Sequence, residues 1–140
     1  MRKFFPNRQK GRKYNNKKVE YNGILFDSKK EKDRFVFLKE AEEQGLISNL
    51  QRQVKFELIP AIKEKYIKHL KTKEKECERT VQLAISYTCD FQYEKDGVMV
   101  VEDIKPSPAL IPKEFVLKEK LFRYKYGFSI KRVYKPNEKI

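Results

Sequence analysis

Asp96-Gly97 is the tightest constraint in this sequence, because it stands between two runs of alternating apolar residues. An Asp-Gly pair supplies the left-handed backbone that a two-residue hairpin turn demands, and such a turn fixes strand register. With Asp96 and Gly97 central, Lys95 pairs with Val98, and counting outward places Asp90 opposite Asp103. Alternation then puts Asp90, Asp103 and Lys105 on one face of the pair. Aspartate is disfavoured in strands and two carboxylates across a ladder repel one another, so this pairing needs a reason beyond strand propensity. A divalent cation between them would supply one.

The elements around this hairpin follow from turn and capping chemistry. Asn22-Gly23 predicts a short hairpin, and Ser28 with Glu31 three residues on forms a capping box for a helix carrying Phe35, Leu38 and Ala41 on its buried face. Gly45 ends that helix. Val54, Phe56 and Leu58 alternate as in a half-buried strand. Ile62, Tyr66 and Leu70 fall at helical spacing amid charge, predicting a charged helix or helical arm over about 60–79. A long strand is expected from Thr80 to Tyr93, returning from Val98 to Lys105. A helix from Pro112 to Tyr126, stopped by Gly127, and a final strand, "FSIKRVY", complete the chain.

From the first long helix the order is helix, three strands, helix, strand: an α/β layout with a mixed sheet and helices on its faces. At 140 residues this is read as one domain from residue 19 onward, with 60–79 as a charged insertion.

Charge narrows the partners. The formal net charge is +13 with 38% charged residues. Residues 1–18 carry Arg2, Lys3, Arg8, Lys10, Arg12, Lys13, Lys17 and Lys18 with no acid, the composition of a flexible basic arm. Such a chain is attracted to a polyanion, either nucleic acid or an anionic membrane face, although lysine-rich surfaces also serve solubility alone. No apolar run approaches the ~20 residues of a membrane span, and the charged start does not read as a secretory signal. Cys77 and Cys89 form no motif and are expected as free thiols in the cytoplasm of a bacterial or phage-infected cell. The single histidine, His69, lies among lysines, and no phosphate-binding G-x-x-x-x-G-K loop is present.

Glu31 has two readings: the capping box explains it structurally, yet it shares a helical face with Phe35 and Leu38 and so can point toward the sheet. Asp103 and Lys105 likewise read either as an ordinary ion pair at a strand end or as parts of a site.

Taken together, Glu31 on a first helix, Asp90 on a strand and Asp103-Ile104-Lys105 on the next resemble the PD-(D/E)XK nuclease superfamily. More narrowly, "KKVEYNGILFDSKKEKDRF", "YTCDFQY", "VVEDIK" and "KLFRYKYG" are similar to a phage-borne group of small, endonuclease-like proteins within it. The resemblance spans about Lys17 to Val133. It departs from the pattern at Cys89, where the motif has proline, and at Pro106, where the narrower group has glycine. It implies a restriction-endonuclease-like core and a Mg²⁺- or Mn²⁺-dependent DNA endonuclease acting in phage or mobile-element replication, recombination or processing.

In that reading Asp90, Asp103, Glu31 and the Ile104 carbonyl are metal ligands, and Lys105 supports the nucleophile or developing charge. Gln53 is an accessory polar residue, and the basic arm binds DNA. A Holliday-junction or branched-DNA resolvase, working as a homodimer, is the nearest variant. The rival is a non-catalytic nucleic-acid- or partner-binding protein that retains the fold.

Overall fold

The computed structural model describes residues 17–140. Arg2, Lys3, Arg8, Lys10, Arg12 and Lys13 of the basic arm lie outside the described residues, whereas Lys17 and Lys18 are exposed.

The first hairpin pairs β1 (Val19–Tyr21) with β2 (Ile24–Phe26), and Asn22 and Gly23 take φ of 49° and 75° at its turn. Helix α1 (Lys29–Glu43) starts where Ser28 Oγ accepts the Glu31 N–H at 3.1 Å, the N-cap half of the expected capping box. Gln44 caps its end and Gly45 follows at φ 76°.

Next come β3 (Ser48–Arg52), β4 (Lys55–Ile59), β5 (Ile62–His69), β6 (Glu74–Gln82), β7 (Ile85–Thr88), β8 (Phe91–Lys95) and β9 (Val98–Ile104). Helix α2 (Lys113–Tyr126) and β10 (Lys131–Val133) finish the fold. The main sheet has the order β10-β9-β8-β3, with β10 parallel to β9 and the other pairs antiparallel. This is a mixed α/β architecture.

Each helix covers one face of that sheet. Phe35, Leu38 and Ala41 of α1 pack with Phe26, Phe91 and Tyr93. On the other face Phe115 and Phe122 of α2 meet Tyr87, Cys89 and Val101. The split follows the pleat: Phe91 and Tyr93 are odd positions of β8 paired with Glu102 and Val100, so Val101 and Asp103 point the opposite way.

Three expectations are corrected. Residues 60–79 are not helical: β5 and β6 form a long antiparallel ribbon, from Ile62↔Gln82 to His69↔Glu74. Positions 62, 66 and 70 are all even, so their spacing fits one face of a strand as well as one face of a helix. Cross-strand pairs Lys63–Glu78, Lys65–Glu76 and Glu64–Arg79 favour the strand form.

The expected strand from Thr80 to Tyr93 is three strands, β6, β7 and β8, with Val81 and Leu83 exposed. Finally, the edge strand of the main sheet beside β8 is β3, which was not foreseen, while the expected Val54–Leu58 strand pairs with β7 in a separate two-stranded ladder. Asn49 at φ 53° and a register shift between Ser48 and Gln51 break the alternation that would have revealed β3.

Candidate functional site

Asp90 owes its place to a bend shared by two neighbouring strands. β3 turns into β4 at Gln53, whose φ is 49°, and β7 turns into β8 at Cys89 and Asp90. The Gln53 N–H donates to the Asp90 carbonyl at 3.1 Å, and the Cys89 N–H to the Val54 carbonyl at 3.0 Å, so both chains kink together. Released from a regular ladder, the Asp90 carboxylate turns to accept the Ile104 N–H at Oδ2, 2.6 Å away. The Lys95↔Val98 register runs without slip to Phe91↔Glu102, one step short of Asp90 and Asp103. The turn-based count therefore holds as far as Phe91↔Glu102, and at Asp90 the ladder shifts by one: the Asp90 N–H donates to the Glu102 carbonyl at 3.2 Å.

Asp103, at the end of β9, is buried and doubly held. The Tyr87 hydroxyl donates to its Oδ2 and Lys105 Nζ meets its Oδ1, both at 2.6 Å. Lys105 also lies 3.8 Å from the centre of the Phe115 ring, so its ammonium sits over an aromatic face of α2. Burial raises the Tyr87 phenol, and the neighbouring Asp103 charge raises it further, so this hydroxyl remains a donor. Lys30 of α1 donates to the Pro106 carbonyl at 3.0 Å, tying the first turn of the helix to the loop after β9.

Glu31 enters from α1 on the same end of the sheet. It is 5% exposed, and its Oε1 has no hydrogen-bond partner among the described residues. The nearest cation, Arg52 Nη2 at the end of β3, stands 3.8 Å away, beyond hydrogen-bond reach. Arg52 instead stacks over Phe26, 4.2 Å from the ring centre, with its own Nε and Nη2 buried and unpartnered. Burial raises the Glu31 pKa first, Asp27 raises it next, Arg52 partly offsets the rise, and Asp103 contributes to it.

Asp90 is pushed up to about 7, first by burial and then by the Asp103 charge, against the Ile104 hydrogen bond; Glu31 adds to the rise. The sequence-predicted quartet of Glu31, Asp90, Asp103 and Lys105 is thus brought together electrostatically. Ile104 joins it through its N–H. Gln53 is present through its backbone, with an exposed side chain, and Lys17 and Lys18 lie on the surface.

The donor set consists of hard oxygens that destabilise one another, with one buried oxygen unpartnered, which suits Mg²⁺ or Mn²⁺. As the side chains stand, no group of three His, Cys, Asp or Glu among the described residues is arranged to hold a metal. At Asp103 both oxygens already have partners, Tyr87 and Lys105.

A family model described as a protein of unknown function, DUF1064, matches residues 11–135. The chain belongs to the DUF1064 family. No curated protein and no solved structure matches it. The matched span of this DUF1064 member contains the whole quartet, Arg52 and Tyr87. Sequence reasoning missed the last two. Tyr87 reads as one more apolar strand residue, and Arg52 as one more surface base; it takes the tertiary pairing of Arg52 with Phe91, and of Tyr87 with the α2 cluster, to turn them toward the carboxylates. Cys89 was correctly read as free, and burial pushes its thiol up to about 11, so it carries no thiolate near neutral pH.

The raised Asp90 gives a pH signature. Unfolded, its carboxyl loses its proton near the ordinary value of 3.8, but the folded protein keeps that proton until about 7. The folded state therefore binds more protons between those limits, and this stabilising contribution is lost as pH rises through 7. Asp90→Asn retains an oxygen acceptor for the Ile104 N–H and carries no charge. Its melting temperature should fall less than that of the unaltered protein between pH 4 and pH 8; matching declines in calorimetry would refute the assignment.

Proposed function

We propose that this protein is a Mg²⁺- or Mn²⁺-dependent DNA endonuclease with a restriction-endonuclease-like core, serving phage or mobile-element DNA replication, recombination or processing. One observation carries the reading: three buried or half-buried acids and a lysine, from α1, the β7–β8 bend and β9, converge at one end of a mixed sheet in a chain of net charge +13. A protein that only binds DNA gains nothing from acids facing a polyanion.

Asp90, Asp103 and Glu31, with the Ile104 carbonyl, would hold the cation, which supplies Lewis acidity toward a phosphate oxygen and a nucleophile at neutral pH. The chain's own groups do the rest. Tyr87 fixes the rotamer of Asp103, the Ile104 N–H fixes that of Asp90, and α1 carries Glu31 in from the far side. Lys105 keeps an ammonium beside the carboxylates, where it can meet charge building on a phosphate. A groove of about 370 Å³ beside them is lined by Ser86 and Thr88 of β7, Asp103, Lys105, and Glu114 and Lys118 of α2.

The test is purified protein against linear, single-stranded, flapped and four-way-junction DNA with Mg²⁺, Mn²⁺ or EDTA. Cleavage that requires a divalent cation is the expected result. Preference for the junction, together with a dimer in sedimentation, would mark the resolvase variant. A second reading, a non-catalytic DNA-binding protein, is favoured by the occupation of both Asp103 oxygens; binding throughout the panel without cleavage would establish it.

Lys105 should act on turnover rather than on metal affinity. As a cation beside cations it opposes metal binding, so Lys105→Ala is expected to lower kcat by about 10²-fold, by analogy with loss of an oxyanion donor, while leaving Mn²⁺ affinity intact or tighter. Calorimetric titration beside single-turnover kinetics checks this. Normal turnover with weakened metal binding would contradict the role.

A further inference from the structure

The β5–β6 ribbon is the part of the described fold that the candidate site does not use. All of β5 is exposed, and Cys77 alone is partly covered in β6. A two-stranded ribbon without a packed face is only marginally stable in water, so its length calls for a purpose. Eight residues of β5 at ~3.3 Å each carry the tip about 26 Å beyond the root.

Its charges divide by position. Each acid of the ribbon has a partner: Glu78 with Lys63, Glu76 with Lys65, Glu64 with Arg79, and Glu74 with His69. Lys68, Lys71, Lys73 and Lys75 are left without an ion-pair partner among the described residues, and all four cluster at the tip. Lys68 and Lys75 stand directly opposite each other, a like-charge pair that weakens the ladder. A polyanion at the tip reverses that penalty.

The root points to the same partner. β7 runs from the ribbon base at Ile85 to Thr88, next to the bend that presents Asp90, and the groove beside the carboxylates follows β7 through Ser86 and Thr88. A nucleic acid lying along this groove is led toward the ribbon.

We propose that the β5–β6 ribbon is an arm that grips double-stranded DNA through Lys68, Lys71, Lys73 and Lys75; this rests on the DNA-endonuclease reading and adds a second grip remote from the chemistry. Duplex is the fitting form because a two-stranded ribbon matches the width of the major groove, about 12 Å. The lysines contact phosphates, which position the duplex without selecting sequence.

The experiment compares the full chain with its Lys68→Gln/Lys71→Gln/Lys73→Gln/Lys75→Gln variant, by fluorescence anisotropy on a duplex across a salt series in EDTA. Each phosphate contact contributes about 0.9 to the log-log salt slope, so the variant should lose up to about 3.6 from its magnitude, and about tenfold or more in affinity at moderate salt. Lys63→Gln/Lys65→Gln, which removes the paired lysines nearer the root, should leave the slope nearly unchanged.

An unaltered slope in the tip variant overturns the proposal, as does an equal loss in the root variant. A dimer in light scattering that the tip substitutions dissociate, with the slope unmoved, would assign the ribbon to a second copy of the chain and overturn it as well. EDTA separates this test from the catalytic reading: a tip effect without cleavage in the metal panel refutes the nuclease and keeps the arm, and cleavage with an unmoved slope does the reverse.

Discussion

Asp103→Ala is expected to reduce metal-dependent DNA cleavage by about 10²-fold or more while the protein stays folded, and Asp90→Ala to do the same. Both carboxylates sit where the proposed cation must be held, and neither belongs to the apolar clusters that stabilise the fold.

The stability effects should differ. Asp103→Ala strands the buried Tyr87 hydroxyl and frees Lys105, so it should destabilise by about 1–3 kcal/mol, the range for an unsatisfied buried group. Asp90→Ala removes a charged acceptor from the Ile104 N–H but also relieves repulsion with Asp103, two effects of opposite sign. Its melting temperature at pH 8 should therefore lie above that of Asp103→Ala. Melting curves establish that each variant is folded, and single-turnover cleavage on the best substrate of the panel then decides the site. If both folded variants cut at the unaltered rate, these carboxylates are not the catalytic centre.

Much of the candidate site was legible in the sequence because register is counted, not guessed. An Asp-Gly turn fixes the β8–β9 pairing as far as Phe91↔Glu102, which sets the face of Asp103 and brings Asp90 to the same end of the sheet; the bend at Asp90 then places its carboxylate. The helices were legible for a similar reason: Ser28, Gly45 and Gly127 punctuate them chemically.

What failed was everything that depends on partners distant in sequence. Residues 62–82 carry charge at most positions, and only the pairing of Lys65 with Glu76 or Glu64 with Arg79 across the ribbon distinguishes strand from helix. β3 was hidden by a bulge, and the bend at Gln53 and Asp90 exists because two strands kink together. No local pattern encodes that agreement. The same holds for Glu102, which reads as a solvated acid in an alternating strand and is fully buried.

Glu102 leads to the second large effect, because Arg34→Ala should destabilise the protein by about 3–5 kcal/mol, the usual range for leaving a buried charge unpaired. Arg34 and Glu102 side chains are both 0% exposed. Arg34 Nε donates to Glu102 Oε2 at 2.9 Å, Nη2 donates to Oε1, and Nη1 reaches the carbonyls of Pro136 and Glu138. The Tyr93 hydroxyl completes the carboxylate's shell at 2.6 Å. One guanidinium thus joins α1, β9 and the C-terminal segment.

The network stands directly behind the candidate site, since Arg34 is one helical turn from Glu31 and Glu102 adjoins Asp103. Removing Arg34 strands two carbonyls and leaves buried Glu102 with the Tyr93 hydroxyl and Lys131 Nζ, 3.8 Å away; removing Glu102 strands a guanidinium. Arg34→Leu/Glu102→Leu removes both charges and should lose clearly less than the sum of the two single changes, because neither ion is then left buried alone. Urea unfolding of the singles and the double measures that coupling directly. Additive losses would mean that the pair contributes packing and no mutual charge compensation. If the double recovers stability yet cuts DNA more slowly than the unaltered protein, the ion pair's further role is to hold α1 and β9 in the register that brings Glu31 to Asp103.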